Sequence, residues 1–233
     1  ERAEGSFTYQ GREIRLVDLP GTYSLAAQSP EEVIARDYII SGEPDVVVDV
    51  VDATSLERNL NLTLQILELT DRVVVGLNLM DEVERMGSEL DTAELEAELG
   101  VPVVPTVATE EEGLPELVEA TVEVAEGRRS TDPVQLDYGL TVEGHIETLQ
   151  EDLKRVGIQE RSRWVTLKLL EDDPEVVEAF KRGDLTALGL AAPSASAEAL
   201  QTLLRQAVRL REGTRPDAKV EIVRRRYEFA HDV

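Results

Sequence analysis

Short aliphatic runs alternate with amphipathic stretches along the first half of the chain. Residues 45–51, 72–77 and 101–104 are nearly continuous apolar runs, which are typical of strands buried on both faces. Stretches with leucines four residues apart, such as Leu60 and Leu64, lie between these runs and predict amphipathic helices. Strands that alternate with helices predict a parallel sheet covered on both sides, with ligands bound at the carboxyl ends of its strands.

Turn and capping residues predict where several elements begin. Residues 6–10 and 13–17 predict a β-hairpin with its turn at Gly11. Three helices are predicted to begin at an N-cap followed three residues later by a glutamate, as in a capping box, and Pro30 at a first helical position strengthens one of them. These starts are Ser29 with Glu32, Thr54 with Glu57, and Asp91 with Glu94.

The pattern changes near Gly127. Residues 127–133 are polar and rich in turn formers, which is typical of a linker. Beyond them we predict no buried strand, and helical periodicity covers residues 142–156, 163–170, 174–182, 197–211 and 219–231. We therefore predict an α/β domain of residues 1–127 and a smaller all-helical domain of residues 128–233.

Composition and charge narrow the class of protein. Of the 233 residues 42% are apolar, which suits a globular chain, and 48 acidic against 24 basic residues give a net charge of -24. Such a surface repels phosphate backbones, so we expect no nucleic-acid partner. The acidity is explained by solubility or by adaptation to high internal salt, and the composition favours solubility without excluding salt adaptation.

The sequence contains no cysteine, which excludes disulfides and cysteine-ligated zinc. The longest apolar stretch, around residues 46–51, is far shorter than the ~20 residues that a membrane span needs. The segment that begins at Glu1 also lacks the apolar run of a signal peptide. We therefore expect this chain to be soluble by itself and suited to the cytosol.

The segment Asp18-Leu19-Pro20-Gly21 follows the predicted hairpin and contains residues typical of a loop that contacts Mg²⁺ and a γ-phosphate. A carboxylate at the end of a strand can hold a magnesium-bound water, and a glycine three residues later lets its N–H approach a γ-phosphate. Taken alone, Asp18 is equally compatible with a turn.

The segment Asn78-Leu79-Met80-Asp81 follows the second buried run. Its carboxylate can accept both N–H groups on the edge of a guanine, and adenine is rejected because it leaves that carboxylate unpaired. Taken alone, the position of Asp81 favours a helix cap.

Val107, Ala108 and Thr109 follow the third buried run, where the N–H of Ala108 can donate to a guanine carbonyl. The order of the three segments and their positions after predicted strands favour one guanine-nucleotide site over three chance matches.

Longer stretches around these segments resemble one protein family, the ferrous iron transport protein B (FeoB) family. The resemblance covers nearly the whole chain and includes the family's third GTPase motif with its second switch, its variant of the guanine motif, its fifth motif and its helical domain. The similar segments are residues 18–25, 29–32, 35–38, 50–65, 78–82, 105–109, 138–139, 164, 168–171 and 225–229.

The resemblance implies a P-loop-GTPase-like parallel sheet with flanking helices, followed by a small all-α domain. It implies GTP and GDP as ligands, Mg²⁺ held through water by Asp18, and K⁺ as a further cofactor. It also implies GTP hydrolysis at the cytoplasmic face of the cell membrane, a membrane iron channel in the same polypeptide as partner, and a possible homo-oligomer. No catalytic residue is assigned.

The alternative function is a catalytically inactive pseudo-GTPase or interaction module. A ribosome-associated GTPase is disfavoured because no basic RNA-binding segment is found.

Two residues depart from common GTPase motifs. Leu79 stands where the common Asn-Lys-x-Asp motif has a lysine, so we expect weaker retention of the base. Thr22 stands where many small GTPases carry the glutamine that orients the attacking water, so we expect slow hydrolysis or help from other groups.

The third departure is that the 233 residues contain no G-x-x-x-x-G-K-[ST] motif, which is the phosphate-binding loop of such GTPases, and no first switch. Residues 1–5 resemble the stretch just after the FeoB first switch. The strand that precedes such a loop is expected between residues 13–17 and 45–51, and its loss is expected to leave two buried edges with unpaired backbone groups. We therefore expect the chain to belong to a longer polypeptide, or another segment to fill this place.

Overall fold

The computed structural model describes residues 3–26, 29–191 and 195–233, so the opening segment of residues 1–5 is described from Ala3 onward. Its first half contains a β-hairpin and a parallel sheet with flanking helices, and its second half is helical. The α/β class with an all-helical second part, predicted from the sequence, is therefore confirmed.

The hairpin consists of strands β1 (Ala3–Tyr9) and β2 (Arg12–Asp18), which pair antiparallel around a turn at Gly11, as predicted. An ion pair between Arg12 and Glu126 joins the hairpin to the rest of the fold. In the described part of the chain β2 pairs with β1 alone and is mostly exposed. Asp18 follows β2, as predicted, and no described strand lies between β2 and the parallel sheet. The expectation that residues 13–17 form a buried edge is wrong, because β2 is mostly exposed.

The parallel sheet has the order β3-β4-β5, with β3 (Val47–Asp52), β4 (Val73–Asn78) and β5 (Val103–Pro105). The central strand β4 is buried over nearly its full length, as its continuous apolar run predicts. On the outer strand β3, Val50 is 64% exposed, so this part of the sheet is not covered on both faces as predicted.

Ten α-helices surround and follow the sheet in the described residues. Five belong to the first half: α1 (Pro30–Ile40), α2 (Leu56–Leu67), α3 (Met80–Arg85), α4 (Thr92–Leu99) and α5 (Leu114–Ala125). Five form the second half: α6 (Leu140–Arg155), α7 (Ser162–Leu170), α8 (Pro174–Arg182), α9 (Ala197–Gly213) and α10 (Ala218–Asp232). Short 3₁₀ turns are formed by Ala53–Ser55, Ala108–Glu110 and Thr186–Leu188.

Most predicted helix starts are confirmed by cap hydrogen bonds. The Ser29 side chain accepts from the N–H of Glu32, and the Glu32 carboxylate accepts from the N–H of Ser29, which completes the capping box. The predicted N-cap Asp91 is also confirmed, and Asp173 and Ser196 cap α8 and α9.

The predicted start at Thr54 is wrong. The Asp52 carboxylate accepts from the backbone N–H of Thr54 at 2.8 Å and from its hydroxyl at 2.6 Å. Thr54 does not cap α2, because it lies within a 3₁₀ turn at Ala53–Ser55 that Asp52 caps and that precedes the helix.

A hydrophobic core runs from the α2 side of the parallel sheet through to the helical half of the chain. A smaller core on the opposite face of the sheet is made by Val74, Val104, Ala120 and Val124, which join β4 and β5 to α5. In the larger core α2 packs between β3 and α10, and α1 contacts the helical half near Thr186–Leu188.

One carboxylate lies within the packing of the sheet against α2. Asp49 of β3 is only 7% exposed, and its Oδ2 accepts a hydrogen bond from the hydroxyl of Thr63 at 2.6 Å. Burial raises the pKa of Asp49 to about 6, although the Thr63 hydrogen bond opposes the shift.

Within the described ranges no helix has both the length and the apolar content to cross a membrane.

Candidate functional site

The side chain of Asn78 joins two of the three loops singled out from the sequence. Its Oδ1 accepts the N–H of Ala108 at 3.0 Å and the hydroxyl of Thr106 at 3.3 Å. The loops lie together because β4 and β5 are parallel neighbours, so their carboxyl ends share one edge of the sheet. Asn78 is therefore a brace between the two loops, and its oxygen is already occupied.

Leu79 holds a conformation that is uncommon for a residue other than glycine. Its φ of 67° and ψ of 33° are left-handed, which costs about 1–2 kcal/mol. The next residue, Met80, donates its N–H to the carbonyl of Thr106 at 3.3 Å, so the chain on both sides of Leu79 is tied to the neighbouring loop. The turn directs the chain into α3.

Asp81 lies in the first turn of α3, but it is not the cap that its position alone favours; that place is taken by Leu79. The Asp81 carboxylate is partly exposed and pairs with Arg85, one turn further along the helix. Arg85 also pairs with Glu82. An exposed ion pair of this type contributes about 0.3–0.5 kcal/mol, so a ligand can displace Arg85 at small cost.

Val107, Ala108 and Thr109 form the start of a tight loop after β5. Val107 is buried, while Ala108 and Thr109 are exposed at the sheet edge. Gly113 closes this loop with a φ of +75°, and a Cβ there would come within 2.1 Å of the carbonyl oxygen of Pro105. A glycine is thus required both by the backbone angle and by the close approach.

The first loop occupies a different place. Asp18 is exposed at the end of β2, and its carboxylate makes no hydrogen bond or ion pair with the described residues. Leu19 packs against the large core, Pro20 is half-buried and Gly21 is exposed. The structure therefore brings the Asn78 and Ala108 loops into contact and leaves the Asp18 loop on the separate hairpin.

The residues after Gly21 are held by the two helices next to the helical half. The backbone N–H of the buried Leu25 donates to the side-chain oxygen of Gln65 in α2 at 3.0 Å. The hydroxyl of Ser24 donates to Glu32 in α1 at 2.6 Å. Gln65 was missed from the sequence, although a glutamine within the apolar run of residues 64–67 is the signal that marks it.

Thr22 is engaged within its own loop. Its hydroxyl donates to the carbonyl of Ser24 at 2.7 Å. The guanidinium of Arg58 lies over the ring of Tyr23, 4.2 Å from its centre. Both contacts fix the shape of the segment around Thr22, the position at which many small GTPases carry the glutamine that orients the attacking water.

The residues present fit a magnesium ion in a limited way. The Asp18 carboxylate is free, which suits a contact through a bound water. No group of three or more acidic, histidine or cysteine side chains among the described residues could enclose a metal ion. Among the described residues this site thus offers one carboxylate, and phosphate and water oxygens are needed to complete an octahedral shell.

Comparisons with known proteins agree with this arrangement. Residues 1–121 match the family model described as ferrous iron transport protein B, and residues 138–233 match the FeoB cytosolic helical domain. A Fe(2+) transport protein A/Fe(2+) transporter FeoB fusion protein of Porphyromonas gingivalis is 41% identical over 181 residues, covering 76% of this chain and 21% of that protein. A Fe(2+) transporter FeoB of Salmonella typhimurium is 39% identical over 178 residues, covering 74% and 22%.

Solved structures give the same result. The cytosolic domain of T. maritima FeoB in a GDP form has a TM-score of 0.78 at 34% identity, and in a GMPPNP form 0.77 at 35%. Each match covers 99% of this chain and 82% of that one. The chain spans about a fifth of the length of the two transporters it matches. Since family models match residues 1–121 and 138–233, the chain belongs to the FeoB family of ferrous iron transport proteins, over the N-terminal and the cytosolic helical domain.

Proposed function

We propose that this chain is the guanine-nucleotide-binding and GTP-hydrolysing part of a ferrous iron transporter. Residues 1–127 are the nucleotide domain in this proposal, and residues 128–233 are the helical domain. The observation that carries it is the hydrogen-bonded pair of loops at the sheet edge, where Asn78 holds Ala108 beside the segment that bears Asp81. The GDP and GMPPNP forms of a related cytosolic domain support a guanine nucleotide as ligand.

In this proposal the base lies against the Asn78–Asp81 and Val107–Thr109 loops. The Asp81 carboxylate accepts two N–H groups of guanine in place of the Arg85 guanidinium, and the Ala108 N–H donates to the guanine carbonyl. Leu79 covers the base less well than a lysine stem. Since each contact is made by a loop already held in shape, little ordering is needed on binding.

Asp18 has the role of holding Mg²⁺ through a water, and Gly21 that of donating its N–H to the γ-phosphate. Bound Mg²⁺ would neutralise charge on the phosphates. To test this role we would replace Asp18 with alanine in a longer polypeptide that carries a phosphate-binding loop. Magnesium-dependent GTP binding should fall far more than magnesium-free GDP binding. Equal losses for both nucleotides would mean that Asp18 is merely structural.

The partner in this proposal is the membrane iron channel of the same polypeptide, at the cytoplasmic face of the cell membrane, and the nucleotide state is relayed to it through the helical domain. Family resemblance also supports K⁺ as a cofactor and a homo-oligomer as the assembly. The substrate carried is ferrous iron, and this chain's residues act on the nucleotide.

A pseudo-GTPase without turnover is the second candidate. It is favoured by Thr22, whose hydroxyl donates to the Ser24 carbonyl and accepts from the Ser24 N–H, so that both of its hydrogen-bonding roles are engaged within the loop. Nucleotide titration followed by single-turnover phosphate release, both on a polypeptide with the phosphate-binding loop, separates the two. Binding of GTP with phosphate release supports the GTPase, binding without release supports the pseudo-GTPase, and equal affinity for ADP and GDP would refute both.

A further inference from the structure

Two arginines are buried where the first half of the chain meets the helical half. Arg36 of α1 is 1% exposed, and its guanidinium donates to Glu175 in α8 and to its neighbour Asp37. Its other terminal nitrogen lies 3.6 Å from the carboxylate of Asp173, which also caps α8. A guanidinium of α1 is therefore held against the first turn of α8.

Arg226 of α10 makes a second such contact and is 2% exposed. It donates to Glu171, which follows α7, at 2.6 Å and to Glu68, the C-cap residue of α2, at 3.0 Å. Tyr138 at the start of the helical half also donates its hydroxyl to Glu68. Lys168 donates to Glu171 at 2.8 Å, so two cations face two carboxylates.

In this second cluster the positive charges of Arg226 and Lys168 balance the negative charges of Glu68 and Glu171. Burial opposes ionisation of Glu171, but Arg226 and Lys168 outweigh it and lower its pKa to about 2. Burial, together with the negative charge of Glu68, raises the pKa of the Tyr138 hydroxyl, which therefore stays protonated and donates. Removing one member of such a cluster leaves a buried charge uncompensated, which is strongly unfavourable.

Both clusters attach to the helices that hold the segment after Gly21. Helix α2 bears Gln65, which accepts the N–H of Leu25, and one residue after α2 ends lies Glu68, which accepts from Arg226. Helix α1 bears Glu32, which accepts from Ser24, and one turn further on lies Arg36. Two separate chains of contacts thus run from one loop to the helical half.

We propose that the helical domain positions the loop of residues 21–26 through these two clusters, with Arg36 and Arg226 as positioning residues. This proposal rests on the proposed function, in which Gly21 contacts the γ-phosphate. A shift of α8 or α10 relative to the sheet moves α1 and α2, and with them the anchors of the loop. The same linkage lets the loop, once it contacts a nucleotide, bias the helical domain.

Hydrogen exchange of the 233-residue chain tests the linkage without any nucleotide. The Leu25 amide reports directly, because its protection comes from the Gln65 side chain. In Arg36→Met and Arg226→Met we expect exchange of the residue 21–26 segment to rise about tenfold or more. Arg182→Met removes an ion pair with Glu178 on α8; the Arg182 side chain is 71% exposed, and this variant is the control in which loop exchange stays as in the wild type.

A milder variant, Glu175→Gln, keeps the test decisive if the arginine variants do not fold. Glu175 is 45% exposed and belongs to the helical domain, so Glu175→Gln weakens the Arg36 contact without opening the core. We expect it to speed loop exchange about threefold, while buried Trp164 keeps its native fluorescence. Wild-type loop exchange in Glu175→Gln would overturn the proposal, whether or not the arginine variants fold.

The proposed function is tested separately by the same substitutions in a polypeptide with the phosphate-binding loop. A selective loss of GTP affinity over GDP affinity, beside faster loop exchange, supports both the linkage and the function. Faster loop exchange without any change in nucleotide affinity supports the linkage and contradicts the proposed role of Gly21.

Discussion

Asp81 is the single residue on which base selectivity is expected to depend. In the structure its carboxylate pairs with Arg85 and is partly exposed at the sheet edge. Because an exposed pair of this type is worth only about 0.3–0.5 kcal/mol, Arg85 holds the carboxylate in place without blocking it. The residue is thus accessible to a base that offers two N–H groups.

We expect Asp81→Asn, in a polypeptide with a phosphate-binding loop, to lower GTP affinity about 10- to 100-fold, since charge-assisted hydrogen bonds are worth about 1.5–3 kcal/mol. Preference should shift toward xanthosine triphosphate, because an amide both donates and accepts. Competition titration measures both effects. Arg85→Met is the control, in which the preference for guanine is kept. A GTP affinity within about threefold of wild type, less than ~0.7 kcal/mol, would refute the role of Asp81.

Asp49 opposes folding at neutral pH. Its pKa is raised from 3.8 to about 6 because the charged form is poorly solvated between β3 and α2. The folded state therefore binds a proton more tightly than the unfolded state. Below pH 3.8 the carboxyl is neutral in both states and costs nothing, and as the pH rises through about 6 the penalty reaches its full size.

We expect Asp49→Asn to raise the unfolding free energy by about 1 to 3 kcal/mol at pH 8 and to leave it nearly unchanged at pH 4, because one pKa unit corresponds to ~1.36 kcal/mol. Urea unfolding at the two pH values measures this difference. Asp45→Asn removes an equal charge from an exposed site just before the same strand, and it should show no such pH dependence. A substitution at Asp49 that is neutral at pH 8 would contradict the argument.

At the scale of elements, local sequence predicted the helix starts well where the cap acts alone. Ser29 and Asp91 each accept from the backbone N–H groups that their spacing predicts. The start at Thr54 was wrong because Asp52, two residues earlier, caps a 3₁₀ turn that contains Thr54. A cap prediction fails when another turn precedes the helix, and the position of this turn depends on where β3 ends.

The conformation of the loop after β5 requires a glycine at position 113. A Cβ at Gly113 meets the carbonyl oxygen of Pro105 at 2.1 Å, whereas a Cβ at Gly127 meets nothing within 4 Å. Both glycines have left-handed backbone angles, with φ of +75° and +67°. The pair therefore separates the cost of the backbone angle from the cost of the close approach.

For Gly127→Ala we expect only the cost of the backbone angle, about 1 kcal/mol, which lowers the melting temperature by roughly 2–4 °C. Gly113→Ala should lower the melting temperature by more. Because the Pro105 carbonyl must move, the Ala108 N–H should also lose its bond to Asn78, which its amide exchange rate measures. In a polypeptide with a phosphate-binding loop, guanine affinity should fall for Gly113→Ala alone. Equal melting temperatures for the two variants would show that the loop tolerates the shift.

At the scale of the whole molecule, the sequence predicted the two structural classes and the pair of loops at the sheet edge, because strand order and periodicity carry that information. It did not predict the charged clusters between the halves. Arg226 stands in a run of arginines that is typical of a solvated face, yet it lies four residues from both Ile222 and Ala230, which are buried. Helical phase identifies such a residue as buried, but only the packed structure supplies its partners Glu68 and Glu171.

The last prediction concerns the 233 residues taken by themselves. Asn78, Asp81 and Ala108 can contact a base, but most of the affinity of such sites comes from backbone N–H groups and a lysine around the β-phosphate. The printed sequence has no G-x-x-x-x-G-K-[ST] loop to supply them. A base alone makes few contacts and still bears the full loss of translational and rotational freedom on binding.

We therefore expect calorimetry of this chain to detect no GDP binding at micromolar concentrations, and binding to return once a strand and phosphate-binding loop precede Glu1. The matched control is the longer polypeptide with the loop lysine replaced by alanine, which should bind as weakly as the present chain. Low-micromolar GDP affinity of the 233 residues alone would mean that another part of the protein, such as the helical domain, holds the phosphates.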